Sequence, residues 1–264
     1  IGLLDGRLVT VSCADLSYKM MDFGVTFDSI APSVQRANLL YAVSVRNSFH
    51  AFNLETGGEE RQAFLPQAAC APFGGLKRLL LAPSGDVAYL GWSNLRNYGG
   101  FGNMTAFDLK TFRAGASTAI EDGVTDFAVH PENGRIYAVG EWTGPRQGRV
   151  DSTMYIVEWD PTSQKVTRRI SISPSSRISS ILFDPLNPRF VYAIEAGLAM
   201  IRKVDMLTGT ELMRVRFSAG KRLPSSAATS GSLAYITCAR SPLIHKMDLN
   251  SGRITGTLDL PGSG

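Results

Sequence analysis

The chain has 264 residues, of which 44% are apolar and 19% charged, a composition typical of a folded globular chain with one large domain or two small ones. Its net charge of +4 comes from scattered basic residues without a long basic run, so the sequence carries no specific signal for nucleic-acid binding. No stretch approaches the roughly 18–20 consecutive apolar residues of a membrane-spanning helix, and no membrane span is expected.

One phrase recurs along the chain: an apolar strand, a turn that contains Pro or Gly, and a strand that carries Tyr. It reads "APSGDVAYL" at 82–90, "VHPENGRIYAV" at 129–139 and "DPLNPRFVYAI" at 184–194. The tyrosines of this phrase follow each other at intervals of 48, 48, 55 and 43 residues, and they are Tyr41, Tyr89, Tyr137, Tyr192 and Tyr235. A regular period of this length indicates one supersecondary unit repeated several times.

Each unit reads as four short strands, which we label a to d. Strand a precedes the turn, strand b carries the Tyr, strand c ends at an acidic or amide residue, and strand d follows a Thr-Gly or Ser-Gly turn. The residues that close strand c are Asn53, Asp108, Asp160, Asp205 and Asp248. In a D-x-x-T-G turn the Asp side chain accepts backbone N–H groups and the Gly takes a positive φ, so the pattern predicts a tight c–d hairpin.

In chain order, the pattern predicts a partial blade over residues 1–28 and complete blades over 29–70, 71–121, 122–174, 175–219 and 220–264. The partial blade, "GRLVTVSCADLSYKMMDF", reads as strands b and c, with its strand d missing before the next unit. The chain opens without Met or a signal segment, and no strand a precedes residue 7. We therefore expect one propeller domain over residues 1–264, cut from a longer six- or seven-bladed parent.

Units of ~40–50 residues with four antiparallel strands are the signature of an all-β fold, the β-propeller. The stretch "DFAVHPENGRIYAV…MYIVEWD" resembles a blade of the YVTN and WD40-like propellers, including the Trp159-Asp160 pair that ends strand c. The D-x-x-T-G turns are closer to the YVTN or quinoprotein-like class, because the Gly-His pair of WD40 repeats is absent. The resemblance covers about residues 30–260, concerns the fold alone, and implies no particular chemistry.

The predicted site lies on two long b–c loops, 91–103 and 140–152, which in a propeller share one face. Trp, Tyr and Arg dominate binding hot spots, and scaffolded loops carry function in many folds. The sequence therefore predicts a recognition patch for a protein or another macromolecule, composed of Trp92, Arg96, Tyr98, Phe101, Trp142, Arg146 and Arg149. The alternative is that the tryptophans pack between blades while the arginines are only solvated.

An enzymatic reading is weaker. His50 and His245 occupy the same strand-c position in two units, which Lys19 and Arg202 fill in others, so a structural role is expected. Lactonase-like propellers use carboxylates around a central channel, often with Ca²⁺, and Asp126, Glu141 and Glu195 are candidates here. They match no family motif, so the sequence favours a binding module that needs no cofactor, with a lactonase- or quinoprotein-like enzyme as the alternative.

Two further features bear on compartment. Asn103-Met104-Thr105 is an N-glycosylation sequon, which predicts a modified Asn103 if the protein is secreted. Cys13, Cys70 and Cys238 fit neither a disulfide framework nor a zinc motif. Cys13 and Cys238 both follow a strand b, and we expect buried thiols there rather than a disulfide between neighbouring blades. An extracellular or periplasmic domain of a larger protein is the compartment we favour.

Overall fold

A computed structural model describes residues 7–11, 18–66, 77–93, 102–120, 124–139, 154–172, 178–217, 223–239, 241 and 243–259. Within these ranges the chain is almost entirely β-structure, with one short 3₁₀ turn at Ala196–Leu198. The strands are β1 Arg7–Val11, β2 Tyr18–Asp22, β3 Phe27–Pro32, β4 Leu39–Ser44, β5 Ser48–Asn53, β6 Glu59–Phe64, β7 Lys77–Leu81, β8 Val87–Ser93, β9 Gly102–Asp108, β10 Arg113–Ile120, β11 Asp126–Val129, β12 Ile136–Val139, β13 Met154–Asp160, β14 Lys165–Ile172, β15 Ser180–Phe183, β16 Phe190–Glu195, β17 Met200–Asp205, β18 Glu211–Arg216, β19 Leu223–Ser230, β20 Leu233–Ala239, β21 Leu243–Asp248 and β22 Ile254–Asp259.

These strands form five four-stranded antiparallel sheets and one two-stranded sheet, β1–β2. In each four-stranded sheet the strands pair in chain order, so β3–β6 are blade 1, β7–β10 blade 2, β11–β14 blade 3, β15–β18 blade 4 and β19–β22 blade 5. The predicted fold class, an all-β propeller built of four-stranded blades, is confirmed. In the described part of the chain, no helix has the length and hydropathy needed to cross a bilayer.

Burial separates the inner strands of a blade from the outer one. Strand b of blade 1, β4, is buried at every position, and so is β12 in blade 3. Strand d is more exposed: β6 in blade 1 is exposed at all but one position, and in β18 of blade 4 the residues are half-buried and exposed in turn. The continuous apolar runs of strand b therefore reflect sheets covered on both faces, while strand d carries the solvent boundary.

The c–d turns fold as their sequences predict. The Asn53 side chain accepts the N–H groups of Glu55 and Thr56 at 2.9 and 3.2 Å, and Asp108 does the same in blade 2 at 2.8 Å. Gly57 follows with φ +73°, the conformation for which Gly is favoured. A register shift just before the closing residue, between Ala51 and Phe52 in blade 1, makes room for this turn.

The chain divides into two compact units, each of which we describe by itself: residues 1–96 with 102–119, and residues 97–101 with 120–264. The first unit contains β1–β2, blade 1 and blade 2. Leu8 and Met21 of its two-stranded sheet pack against Leu40 of blade 1. Blades 1 and 2 share a core in which the rings of Phe49 and Phe107 stack at 4.1 Å.

The amino-terminal hairpin forms the partial blade of the described residues. We predicted β1 and β2 to be strands b and c, with a strand d missing before blade 1. In the structure β2 ends at Asp22, where the predicted strand c ends, and residues 23–26 connect it to strand a of blade 1 with no strand between them. The Asp22 side chain accepts the Gly24 N–H at 2.8 Å and fixes this tight turn. The assignment of β1 and β2 to strands b and c stays a prediction.

Neighbouring blades within a unit are joined by a repeated contact between their strands a. The Asp126 carboxylate of β11 accepts the Ser180 hydroxyl at 2.5 Å and the Ile181 N–H at 3.0 Å, both from β15. In the first unit, the Ser29 hydroxyl of β3 accepts the Leu79 N–H of β7 at 3.1 Å. Ser29 and Asp126 occupy equivalent positions: each lies in strand a, two residues before the residue that faces the repeat tyrosine. The same contact between strands a therefore occurs in both units.

A second repeated contact runs from strand d to the c–d turn of the next blade. Arg61 donates to the carbonyls of Leu109, Lys110 and Thr111 at 3.2–3.3 Å. Arg168 holds the equivalent position in blade 3 and donates to the Leu207 carbonyl of blade 4 at 2.6 Å. These contacts hold the c–d turns of blades 2 and 4 against the preceding blade.

Candidate functional site

Of the seven predicted patch residues, only Trp92 lies within the described residues. It is the penultimate residue of β8 and lies opposite Asn103 of β9, and its side chain is 6% exposed. Its indole nitrogen has no hydrogen-bond partner in the described part of the chain. Trp92 thus anchors the base of its loop, while the remaining residues of the patch lie outside the described residues: Arg96, Tyr98, Phe101, Trp142, Arg146 and Arg149.

The b–c connections differ sharply in length among the blades. In blades 2 and 3 they span residues 94–101 and 140–153, whereas in blades 1, 4 and 5 they span only 45–47, 196–199 and 240–242. Because strands alternate in direction, each b–c connection leaves the same end of its own blade as the connection to the next blade. The two long connections are therefore the largest insertions at the b–c ends.

The predicted sequon lies within β9 rather than in a loop. Asn103 is half-buried, and Met104 and Thr105, the other two sequon residues, are fully buried. Glycosylation of Asn103 stays a prediction. Among the cysteines, Cys238 is buried near the end of β20, and Cys13 and Cys70 lie outside the described residues.

The strand-c position that the sequence analysis singled out is buried in every blade where it is described. It holds His50, Thr105, Val157, Arg202 and His245, with exposures of 0–5%. In blade 1, His50 Nε2 lies 2.7 Å from Ser48 Oγ, and His50 Nδ1 lies 2.5 Å from Glu59 Oε1. The order Ser–His–Glu is that of a nucleophile, a base and an orienting acid, but Ser48 itself is only 3% exposed.

In blade 4 the same position is occupied by Arg202, whose side chain is permanently charged. The Arg202 guanidinium lies 2.7 Å from the Glu195 carboxylate and 3.1 Å from that of Glu211. Glu211 and Glu59 are equivalent first residues of strand d, each placed beside strand c by the register shift. Hydrogen bonds from Arg214, together with the nearby Arg202, lower the pKa of Glu211, so this carboxylate is ionised at neutral pH. The arrangement ties strand d to strand c with a buried ion pair.

The repeat tyrosines lie at the other end of the blades, where the a–b and c–d turns are. The Tyr137 hydroxyl donates to Glu158 Oε2 at 2.9 Å, and Arg135 and Thr167 contact the same carboxylate. Burial and this hydrogen bond raise the pKa of Tyr137 to about 12. Burial raises the pKa of Glu158 too, but the hydrogen bonds outweigh it and the pKa falls below its usual value.

Blade 4 places different charges around its tyrosine. The Tyr192 hydroxyl donates to the Leu249 carbonyl of blade 5 at 2.9 Å and lies 3.2 Å from Asp184. Lys203, which faces Tyr192 in the sheet register, pairs with Asp184 at 2.7 Å. Burial opposes ionisation of Asp184, yet hydrogen bonds from Lys203 and the Leu186 N–H lower its pKa. In blades 3 and 4, the carboxylate beside the repeat tyrosine is thus paired with a basic side chain of the same blade.

Of the candidate carboxylates of the enzymatic alternative, two lie within the described residues, and both have partners there. Asp126 is committed to Ser180 and Ile181, Glu195 to Arg202, and Glu141 lies outside the described ranges. Among described side chains no group of three or more His, Cys, Asp or Glu is placed to hold a metal ion.

The blades and their connections define a β-propeller. No protein-family model matches the chain, and no curated protein matches it significantly. Among solved structures, hydrazine synthase from Kuenenia stuttgartiensis is similar with a TM-score of 0.74, over 93% of this chain and 71% of that chain. The sequences are 13% identical, so this likeness shows the fold alone.

Proposed function

We propose that this chain is a β-propeller interaction module that binds a protein or another macromolecule through the connections at the b–c ends of its blades. The observation that carries the proposal is the length of two b–c connections, 94–101 and 140–153. In the other blades the b–c connection has only three or four residues. Both segments contain aromatic and arginine residues, the types that dominate binding hot spots.

The finer family assignment belongs to the same proposal. We place the blades in the YVTN/WD40-like, quinoprotein-like group on the strength of the c–d turns, in which Asn53, Asp205 and Asp248 each precede a Thr-Gly or Ser-Gly pair. In this assignment the chain is a scaffold domain of a larger extracellular or periplasmic protein. The module needs no cofactor; Ca²⁺ belongs only to the enzymatic alternative.

The proposal is tested by replacing each long connection separately. In one variant residues 94–101, and in another residues 140–153, take the short turn 45–47 of blade 1. Affinity capture of the full chain from its native source, read by quantitative mass spectrometry, should give partners that at least one loop variant loses by tenfold or more. Leu186→Ser, at an exposed a–b turn of blade 4, is the control and should retain them. Partners kept by both loop variants would contradict the proposal.

A second candidate function, a serine hydrolase distinct from the lactonase- or quinoprotein-like alternative, has one specific observation in its favour, the Ser48–His50–Glu59 chain of hydrogen bonds. The similar solved structure is also named as a synthase, although its likeness concerns the fold. An alkyl fluorophosphonate distinguishes the two functions, because an active serine displaces fluoride from phosphorus while its proton passes to the histidine. The binding module predicts no adduct on Ser48; an adduct that Ser48→Ala and His50→Gln both abolish would favour the enzyme.

A further inference from the structure

A cavity of about 330 Å³ opens at the a–b and c–d end of the first unit, between turns of blade 1 and blade 2. It lies away from the b–c connections and plays no part in the function proposed above. Its volume is at the lower end of the range of small-molecule sites. The residues that line it are Gln35, Tyr41, Gly85, Asp86, Leu109 and Lys110.

The internal repeat explains why this space is empty of side chains. Tyr41 faces Ala51 in the sheet register, whereas its equivalents Tyr137 and Tyr192 face Glu158 and Lys203. Blades 3 and 4 thus place a long charged side chain beside the tyrosine, and blade 1 places a methyl group there. The residue equivalent to Asp184 of blade 4 is also small in blade 1, where it is Ser33.

The equivalent position in the second unit shows what the cavity wall offers. The Tyr192 hydroxyl meets the Leu249 carbonyl of the following blade, and Leu109 of the cavity is the equivalent of Leu249. In the first unit Arg61 donates to the Leu109 carbonyl instead. A hydrogen bond joins the Tyr41 hydroxyl to Ser33, and burial, which raises the pKa of Tyr41 more than this hydrogen bond lowers it, keeps the phenol protonated at neutral pH. Because a phenol oxygen can accept one hydrogen bond and donate another, the Tyr41 proton can still be donated to an acceptor in the cavity.

One cationic side chain, Lys110, lines the cavity. Among the described residues, Lys110 forms no direct ion pair, although hydrogen bonds from the Thr111 and Lys110 N–H groups, together with the Lys110 charge, lower the pKa of the neighbouring Asp108. Asp86, the carboxylate in the cavity wall, accepts a hydrogen bond from the Gln35 amide at 2.9 Å. Lys110 is therefore the cation that a ligand carboxylate could meet in the cavity.

We propose that this cavity binds a small carboxylate ligand. The ligand carboxylate accepts a hydrogen bond from the Tyr41 hydroxyl, as Glu158 does from Tyr137, and forms an ion pair with Lys110. The protein supplies its own template for this contact in blade 3. The Gln35 amide, held by Asp86 and by the Ser84 carbonyl at 2.8 Å, fixes the cavity wall opposite the phenol.

The test uses benzoate as the probe and benzamide as its neutral match, titrated at constant ionic strength into isotope-labelled full chain. Benzoate should give saturable amide shifts at Gly85, Asp86 and Lys110, and benzamide should bind at least tenfold more weakly. Tyr41→Phe and Lys110→Met should each weaken benzoate about tenfold or more, since a hydrogen bond to a charged group contributes about 1.5–3 kcal/mol. Lys165→Met, an exposed lysine of β14, should have no effect.

A filled-cavity variant completes the experiment. Ala51→Glu places a glutamate opposite Tyr41, as Glu158 lies opposite Tyr137 in blade 3. It should abolish benzoate binding although every residue that contacts the ligand is retained. Equal affinities for benzoate and benzamide, no saturable shift with millimolar benzoate, or unchanged binding in Lys110→Met would each overturn the proposal. Lys110 is exposed, so its variant keeps the test valid if Ala51→Glu fails to fold.

Discussion

Arg189 shows how one side chain holds two turns of a blade together. Its guanidinium contacts both oxygens of Asp205, linking the a–b turn of blade 4 to the c–d turn. The hydrogen bonds from Arg189, with further help from the Leu207 N–H, lower the pKa of Asp205 to about 2. An ionised Asp205 is therefore part of the folded state over nearly the whole pH range.

The substitution Arg189→Gln tests this interaction, because the stability difference between the variant and the wild type should depend on pH. Because the folded pKa of Asp205 lies below its unfolded value, the stabilisation is fully present above about pH 4 and is lost as pH falls through about 2. We expect the variant to be less stable than the wild type at pH 7 and the difference to shrink on acidification below pH 4. Urea unfolding from pH 7 to 2 measures it, with the exposed Arg216→Gln as control; a difference independent of pH would contradict the assignment.

Gly85 occupies a turn of blade 2 that touches blade 1. Its φ is +76°, and a Cβ there would lie 2.6 Å from Val34 Cγ2 and 2.7 Å from Gln35 Cγ. Gly57 has a similar φ of +73° but no atom within 4 Å of such a Cβ. The two glycines therefore separate backbone strain from contact between blades.

Gly57→Ala should lower the free energy of unfolding by about 1 kcal/mol through strain at positive φ. Gly85→Ala should lower it by a further ~1–3 kcal/mol, because the added methyl group overpacks the contact with blade 1. Denaturant unfolding of both variants checks the prediction. Equal losses would mean that the turns of blades 1 and 2 are not packed as described.

At the scale of elements, the contact between strands a decides how neighbouring blades are aligned. Asp126→Ala removes the acceptor of the buried Ser180 hydroxyl and the Ile181 N–H, and should cost about 1–3 kcal/mol per unsatisfied group. Asp126→Asn keeps a carbonyl acceptor and should cost distinctly less. Hydrogen exchange of the Ile181 amide reports the contact directly: it should quicken in the alanine variant and change little in the asparagine variant. Unchanged exchange in both would refute the role of Asp126.

The sequence predicted the elements that have a local signal. The five tyrosines lie in strands b and the five Asp or Asn residues close strands c, because hydrophobic alternation and turn chemistry act within a few residues. The packing of the hairpin β1–β2 against Leu40 of blade 1 joins residues far apart in the sequence, so the pattern of the hairpin alone does not predict it.

The candidate site was less predictable, because its contacts join residues that lie far apart in the sequence or across a bulge. The partners of His50 and Arg202, Glu59 and Glu211, are set beside them by register shifts that the hydrophobic pattern does not reveal. The cavity beside Tyr41 also escaped notice, although the alignment of Ala51 with Glu158 and Lys203 carries the signal. Trp92, predicted as part of a recognition patch, has a buried ring that only the packing of β8 could reveal.

At the scale of the whole molecule, the fold and the function are decided by different residues. The strands repeat one set of contacts in both compact units, and a solved structure with 13% identity shares the architecture. Function in such a fold rests on what each blade adds to the repeat. In this chain the additions are the long b–c connections of blades 2 and 3 and the open cavity of blade 1.

Site-specific photocrosslinking of the full chain in its native source tests the central claim most directly. Benzoylphenylalanine is introduced singly at Tyr98 and Trp142 in the two long connections, and at Val34 and Leu186, which are 60% and 59% exposed on a–b turns. The account predicts covalent adducts with a macromolecular partner from Tyr98, Trp142 or both, and none from Val34 or Leu186. Adducts confined to Val34 or Leu186 would contradict it and move the binding surface to the a–b end of the blades.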